Sequence, residues 1–339
     1  MKVISLFSGC GGLDLGFTNA GFKLVYANDF DKAVWETFER NHRLKIDRRS
    51  ICDVKSSEIP DADGIIGGPP CQSWSLAGAM RGARDARGQL FYEYIRIIND
   101  KRSKFFLAEN VPGLVSSAHI LEFNKILAKF KDMGYDVSWK ILDARGYGVP
   151  QERKRVIVVG YRDDLGKRFS FPPPTHHGRG TVTLDGSRAP EWVTLKEAIG
   201  DLPESTPAGD KNHSNERLEI PNHEHMNGGF SPIYMSRNRL RGWGDQSYTI
   251  QAGGRHAPLH PSSAKMRKVE KDWWEFVGED PKYRRLSVRE AARIQTFPDS
   301  FVFYYSRIED GYKMVGNAVP VRLAQAIAKK IRNDLKRGK

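Results

Sequence analysis

Apolar residues along the first 160 positions follow two alternating rhythms. Short β-rich runs at Lys2–Phe7, Lys23–Ala27, Gly64–Ile66, Phe105–Ala108, Val137–Leu142 and Arg155–Tyr161 predict strands. Between them, Leu13–Ala20, Ala33–Arg40, Phe91–Ile98 and Ile120–Met133 predict helices. The last of these sets Ile120, Phe123, Leu127 and Phe130 on one face. Strands that alternate with helices imply an α/β fold with a mostly parallel sheet covered on both faces.

The rhythm breaks at about Phe171, where Pro172–Pro174, His176–His177 and Gly178–Gly180 form a junction rich in helix and strand breakers. From there to about Tyr283 the chain is rich in Pro, Gly, Asn, His and Arg, with little periodicity, and predicts a second, loop-rich domain. Periodicity returns at Val288–Gln295 and Val319–Ile331, where Leu323, Ile327 and Ile331 recur at i, i+4 and i+8. That last helix needs an apolar partner, and the first domain supplies one. The second domain is therefore read as an insertion near the end of the first.

Composition narrows the class. The chain has 339 residues, enough for two domains. Its 39% hydrophobic content excludes whole-chain disorder. No run reaches the ~18 apolar residues of a membrane span, and the opening MKVISLFSGCGG lacks the cationic start of a secretory signal. The expectation is a soluble, cytoplasmic protein that makes no membrane contact. Cys10, Cys52 and Cys71 are too few for a disulfide scaffold and lack zinc-like spacing, so no metal is expected.

The formal charge is +13, from 54 basic and 41 acidic residues. Residues 1–160 carry 24 basic and 19 acidic side chains, and residues 161–339 carry 30 and 22. The excess concentrates in 237–268, where Arg237, Arg239, Arg241, Arg255, Lys265, Arg267 and Lys268 face only Asp245. Arginine's planar fork suits base edges and phosphates better than lysine's point charge. A solvated charged loop would carry the same sum.

Four short motifs carry candidate chemistry. Phe7-Ser8-Gly9-Cys10-Gly11-Gly12 follows the first strand, a turn that lets a nucleotide-like ligand approach the backbone. Asp14 stands where a dinucleotide fingerprint wants a third glycine, which disfavours an NAD-dependent oxidoreductase. Asp29 follows the second strand, where a carboxylate can bind ribose hydroxyls. In Gly67-Gly68-Pro69-Pro70-Cys71-Gln72-Ser73-Trp74-Ser75, two glycines and two prolines frame one cysteine at a strand end. Most lone cysteines are inert small hydrophobes, but this frame marks Cys71 as a nucleophile. Ala108-Glu109-Asn110-Val111-Pro112 puts a carboxylate at the end of a buried strand, a costly placement unless the group is protonated or paired. Gln151-Glu152-Arg153-Lys154-Arg155 opens the last strand of the first domain, and alternation sets Arg153 and Arg155 on one side of it.

Together, FSGCGGLDLGF, GGPPCQSWS, ENV, QERKR, RRLSVREAARIQTFPD and GNAVP, in this order from residue 7 to 320, resemble the DNA (cytosine-5) methyltransferase family. The stretches at 234–243, 251–261 and 310–324 are similar to bacterial modification enzymes that methylate GGCC within restriction–modification systems. The resemblance implies a Rossmann-like catalytic domain over 1–170, completed by 300–335. It also implies a target-recognition domain over 171–285 and a connecting motif over 286–299.

For catalysis the resemblance implies Cys71 as the nucleophile toward carbon 6 of a flipped-out cytosine, and Glu109 at ring nitrogen 3 and the exocyclic amine. Arg155 would hold the exocyclic cytosine oxygen, Arg153 would support it and the backbone, and Asn110 and Pro70 would shape the pocket. The implied cofactor is S-adenosyl-L-methionine, with Phe7, Gly9, Gly11 and Gly12 around its methionine part and Asp29 on its ribose. Phe30 and Ile51 would meet the adenine, and Asn317 and Val319 would close the pocket. Ser50 stands where relatives carry an aspartate that accepts from the adenine amine; Asp53 is the alternative if the loop shifts register. Arg237, Arg239 and Arg255 would read base edges, and Lys265, Arg267 and Lys268 would meet phosphates.

The implied partners are double-stranded DNA and a cognate restriction endonuclease. A monomer associated with the nucleoid through DNA is expected. The competing readings are an RNA cytosine-5 methyltransferase and a catalytically silent DNA-binding protein. An assay on matched DNA and RNA duplexes separates the first, and covalent trapping on 5-fluorocytosine DNA separates the second.

Overall fold

A computed structural model describes residues 1–70, 86–182, 186–215 and 217–336 of the chain. It divides into two compact units. The first comprises Met1–Asp143, Lys154–Pro173 and Leu323–Lys339; the second comprises Ala144–Arg153 and Pro174–Arg322.

The first unit is a six-stranded sheet in the order β2-β1-β3-β4-β6-β5. Its strands are β1 (Lys2–Leu6), β2 (Lys23–Asn28), β3 (Gly64–Gly67), β4 (Phe105–Asn110), β5 (Tyr135–Asp143) and β6 (Lys154–Arg162). β1 to β4 pair in parallel, whereas β6 runs antiparallel between β4 and β5. The helices are α1 (Gly12–Asn19), α2 (Trp35–His42), α3 (Ala86–Lys101) and α4 (Ile120–Asp132). The chain is therefore α/β with a mostly parallel sheet, and the predicted strands and helices of this region are present with ends shifted by a few residues.

Neighbouring strand residues point to opposite faces, and β4 shows both sides filled. Phe105 packs against Phe17 and Phe22, with ring centroids 6.3 and 5.7 Å away. Phe106 packs against Phe130 of α4 at 4.2 Å and Tyr135 at 5.3 Å. Each phenylalanine also lies over a glycine on an adjoining strand. A Cβ on Gly64 would come within 2.1 Å of the Phe105 ring, and one on Gly160 within 2.1 Å of Phe106. Gly64 pairs with Phe105, and Phe106 with Gly160. The missing side chains on β3 and β6 thus make room for the aromatic pair on β4. The C-terminal helix α9 (Val321–Lys336) closes this unit, with Leu323, Ile327 and Ile331 fully buried and Asp334 accepting a 2.9 Å bond from the Tyr161 hydroxyl.

The second unit has short elements: α5 (Leu195–Ile199), β7 (Thr206–Pro207), β8 (Glu224–His225), α6 (Pro232–Met235), a hairpin of β9 (Met266–Glu270) and β10 (Trp273–Phe276), α7 (Val288–Ile294) and α8 (Ile308–Asn317). Buried arginines tie them together. Arg284 makes a two-pronged contact with Glu290, at 2.8 and 2.9 Å, and Glu290 forms a capping box with Ser287. Arg285 donates to the carbonyls of Gly228 and Gly229, each at 2.9 Å. Arg289 donates to those of Pro221 and Phe301, each at 3.0 Å. Among the described residues, no helix is long and apolar enough to cross a membrane.

The glycine–phenylalanine contacts set a test. Gly64→Ala and Gly160→Ala are each expected to cost ~1–3 kcal/mol through overpacking. The cost should appear as a lower urea midpoint at unchanged slope; an unchanged midpoint in either variant refutes this account of β4.

Candidate functional site

In the first unit, the ends of β1 and β2 make a cradle. After Leu6 the chain turns through Phe7, Gly9 and Gly11, all at positive φ (55°, 56° and 92°). Asp29, just beyond β2, fixes the turn by accepting from Gly9 N at 2.8 Å through Oδ2 and from Asp31 N at 2.9 Å through Oδ1. Nothing lies within 4 Å of where a Gly9 Cβ would sit, so the turn faces open space. Gly11 is closed from behind: a Cβ there would sit 2.0 Å from the His42 ring, which stacks on Phe38 at 4.5 Å. Burial pushes the His42 imidazole down to about 4, so a neutral ring backs the loop at pH 7.

Asn28 brings a further segment to the cradle. Its amide donates to the carbonyls of Asp47 (3.0 Å) and Arg49 (2.9 Å), which places Ser50 and Ile51 beyond the same strand end. The Ser50 hydroxyl accepts from Cys52 N at 3.3 Å, Ile51 is buried, and Asp53 is exposed. Phe30 is 58% exposed at the rim, a large aromatic surface in water. Open backbone at Gly9, a carboxylate at Asp29 and an exposed ring at Phe30 fit a ligand with a ribose and a flat base. Gly12 begins α1.

The second cluster in this unit lies at the ends of β4 and β6. Because these strands are antiparallel, the last residues of one adjoin the first of the other. Glu109 and Arg155 meet there, with Arg155 Nε 2.7 Å from Glu109 Oε1 and both side chains 11% exposed. The strand-end carboxylate is therefore paired. Arg155 Nη1 also donates to the Lys154 carbonyl at 2.8 Å. Asn110 reaches the segment that follows β3, donating from Nδ2 to the Pro69 carbonyl at 2.9 Å. Its Oδ1 accepts from Val111 N at 2.9 Å. Pro70 is half-buried. Cys71 lies outside the described residues.

The second unit holds the remaining candidates. Arg153 is fully buried and donates to the carbonyls of Ile250 (2.8 Å), Gly316 (2.8 Å) and Ala318 (3.0 Å). Its fork thus ties together two segments of this unit. Asn317 is exposed at the end of α8, and Val319 is buried. Arg237 and Arg255 are exposed. Arg239 is buried: Nε donates to the Tyr234 carbonyl at 2.9 Å and Nη2 to that of Ile233 at 3.1 Å, and the guanidinium lies 4.8 Å from the Tyr234 ring centre. Arg237 and Arg239 line one cleft of about 180 Å³ with Tyr248, Gln251 and His256.

Three supporting residues escaped the sequence reading. His42 and Asn28 act on loops far from them in sequence, and no local spacing signals either. In the sequence, Asp14 signals only a broken glycine fingerprint. Its carboxyl is fully buried in α1, and burial pushes it up to about 7, against the Ser5 hydroxyl and with Asp29 adding to the rise.

Asp14 gives a signed pH test. The unfolded chain releases this proton near 3.8, the folded chain only near 7. Between those values the folded state binds the extra proton, so Asp14 subtracts stability as pH rises from about 4 and does so fully above about 7. The effect is at most ~4 kcal/mol. Asp14→Asn keeps the shape without the ionisation. Its Tm is expected to exceed the unsubstituted protein's at pH 8, with the gap closing toward pH 4; a gap independent of pH contradicts this.

Comparison with known proteins places these features. Residues 1–333 match the profile described as C-5 cytosine-specific DNA methylase. The chain is 58% identical over 337 residues to Type II methyltransferase M.MthTI of Methanothermobacter thermautotrophicus, covering 99% of this chain and 98% of that one. It is 50% identical over 339 residues to Type II methyltransferase M.FnuDI of Fusobacterium nucleatum, covering 99% and 95%. The fold is similar to that of methyltransferase EhMeth of Entamoeba histolytica, at a TM-score of 0.68 and 15% identity, with 99% and 98% of the two chains covered.

Proposed function

We propose that this chain, which belongs to the C-5 cytosine-specific DNA methylase family and is a DNA (cytosine-5) methyltransferase, is the modification enzyme of a Type II restriction–modification system. It acts on the inner cytosine of GGCC in double-stranded DNA and uses S-adenosyl-L-methionine. The observation that carries the catalytic reading is the Glu109–Arg155 pair at adjoining strand ends, with Asn110 anchoring Pro69 beside it.

In this reading Asn110 holds the main chain two residues before Cys71, and Pro70 restricts it further. The Cys71 thiolate adds to carbon 6 of a cytosine turned out of the duplex. Extruding the base costs a few kcal/mol, as the handful of enzyme classes that work on stacked bases must bear. Glu109 meets ring nitrogen 3 and the exocyclic amine, and Arg155 holds both Glu109 and the exocyclic oxygen of the cytosine. Addition makes carbon 5 electron-rich, and loss of its proton after methylation expels the thiol. When bound, S-adenosyl-L-methionine supplies a methyl group on a good leaving group. Phe7, Gly9, Gly11 and Gly12 would hold its methionine part, Asp29 its ribose, and Phe30, Ser50 and Ile51 its adenine; Asn317 and Val319 are the further residues that the family resemblance assigns to it.

Residues 171–285, most of the second unit, are in this reading the target-recognition domain. Arg237 and Arg255 are exposed and available for guanine edges, where a two-pronged contact is worth ~1–3 kcal/mol of discrimination. Arg239 shares the cleft with Arg237 but spends two of its N–H groups on the carbonyls of Tyr234 and Ile233, so it both shapes the reading loop and borders the DNA. Lys265, Arg267 and Lys268 are exposed around the hairpin and suit phosphates. A cognate endonuclease would cut the unmethylated site, and one chain carrying both parts can act as a monomer on cytoplasmic DNA.

Bisulfite sequencing of DNA from cells expressing the protein tests the target: the inner cytosine of GGCC should resist conversion, and protection at another sequence rejects GGCC. Incubation with a 5-fluorocytosine duplex tests the chemistry. The unsubstituted protein should form a denaturation-resistant complex and Cys71→Ser should not; trapping by the serine variant removes Cys71 from its role. A matched RNA duplex should give no product.

A further inference from the structure

Within the second unit, residues 150–153 are sewn along 247–250. Ser247 N donates to the Pro150 carbonyl at 2.9 Å, and Glu152 N donates to the Ser247 carbonyl at 2.9 Å. Ile250 N donates to Gln151 Oε1 at 2.8 Å, and the Thr249 hydroxyl donates to the Glu152 carbonyl. On this seam the Glu152 side chain holds two arginines at once. Arg145 Nη1 lies 3.0 Å from Oε1, and Arg241 Nη2 lies 3.0 Å from Oε2. Each guanidinium is also laid on an aromatic ring: Arg145 is 4.2 Å from the centre of Trp192, and Arg241 is 4.1 Å from that of Tyr248. The result is a ladder of ring, cation, carboxylate, cation and ring. Glu152 at its centre and Tyr248 at one end line the cleft that contains Arg237 and Arg239.

A carboxylate among so many cations beside a surface that meets a polyanion repels phosphate, so its presence needs a reason. Resting on the reading that this unit selects the DNA sequence, we propose that Glu152 is a specificity-determining positioning residue. Its carboxylate withholds Arg145 and Arg241 from general phosphate binding and fixes Tyr248 and the loop wall against which Arg237 and Arg239 are set. Affinity gained through loose arginines would be gained equally on every sequence. Tying them to a carboxylate lowers that common background and leaves the exposed reading arginines to decide the site.

The test compares the unsubstituted protein with Glu152→Gln on an unmethylated duplex of the target sequence identified by bisulfite sequencing and on duplexes changed at one base pair. Methylation rate, DNA affinity across a salt series, and Tm are measured. The side chain keeps its shape in E152Q and loses its charge. The ratio of rates on target and changed duplexes is expected to fall about tenfold, a change of ~1.4 kcal/mol. The plot of log affinity against log salt on a changed duplex should steepen by about 1–2, the signature of one or two new phosphate contacts.

Adding Arg241→Ala to E152Q should return part of that slope. A role confined to holding the fold would lower Tm and total activity and leave both the ratio and the slope alone. An unchanged ratio and slope in a folded E152Q protein overturn the proposal. Should E152Q fail to fold, Arg241→Ala alone decides: the ratio is expected to fall several-fold with no steepening of the slope, and an unchanged ratio overturns it. If the unsubstituted protein does not discriminate among the duplexes, the reading of this unit as sequence-selecting fails first, and the proposal fails with it.

Discussion

Every buried carbonyl needs a donor, and a unit made of loops cannot find its donors in a ladder of strands. That constraint explains the second unit more than any other. Its regular elements are short, so arginines take the place of neighbouring backbone. Arg153 reaches the carbonyls of Ile250, Gly316 and Ala318, Arg285 those of Gly228 and Gly229, and Arg289 those of Pro221 and Phe301. A guanidinium has five N–H groups in a fixed plane, enough to serve several carbonyls from one position. It can also be buried among them because the carbonyls face it with their negative ends. The first unit relies on this less, since its six-stranded sheet pairs much of its own backbone, although Arg96 there donates to the carbonyls of Ile51 and Val54.

The run Gln151–Arg155 shows how closely the two solutions lie in the chain. Gln151 bonds Gln295 and Ile250, Glu152 holds Arg145 and Arg241, and Arg153 serves three carbonyls, all in the second unit. The chain then enters β6 of the first unit, where Arg155 pairs with Glu109. A stretch that composition would give to solvent is therefore largely committed to specific partners. The antiparallel placement of β6 matters here. Were it parallel to β4, Arg155 would begin at the opposite end of that strand from Glu109, and the strand-end carboxylate would lack the cation beside it.

The parts legible in the sequence are those whose signal is local. KVISLF, FFLA and the one-faced apolar pattern of 120–133 each declare an element, and all are found as β1, β4 and α4. The elements missed had local signals too, but they were interrupted. Thr194 and Glu197 form a capping box that opens α5, a signature short enough to be overlooked. Helix α8 keeps Ile308, Tyr312 and Val315 on a buried face, yet glycines at 311 and 316 weaken the pattern. The β9–β10 hairpin alternates imperfectly through Trp273 and Trp274, where its register shifts. In the candidate site, residue identities could be read but partnerships could not. The sequence left Glu109 open between a protonated and a paired group, and only the strand order supplies Arg155. Nothing near Gly11 announces His42, and nothing near Asn110 announces the carbonyl of Pro69.

The charge concentrated in 237–268 takes a different meaning once its partners are known. Arg239 is spent largely on the carbonyls of Ile233 and Tyr234, and Arg241 on Glu152 and the ring of Tyr248. Arg237, Arg255, Lys265, Arg267 and Lys268 remain exposed. A sum of charges cannot separate these groups, because a buried arginine and an exposed one count alike. Their effects on a polyanion differ. An exposed cation displaces counterions and strengthens binding to any sequence, whereas a cation locked to a carbonyl or carboxylate adds rigidity to the surface around it. Selecting one short sequence against many others requires a few well-placed exposed donors on a stiff support, and a surface of uniformly free arginines would bind more tightly and choose less.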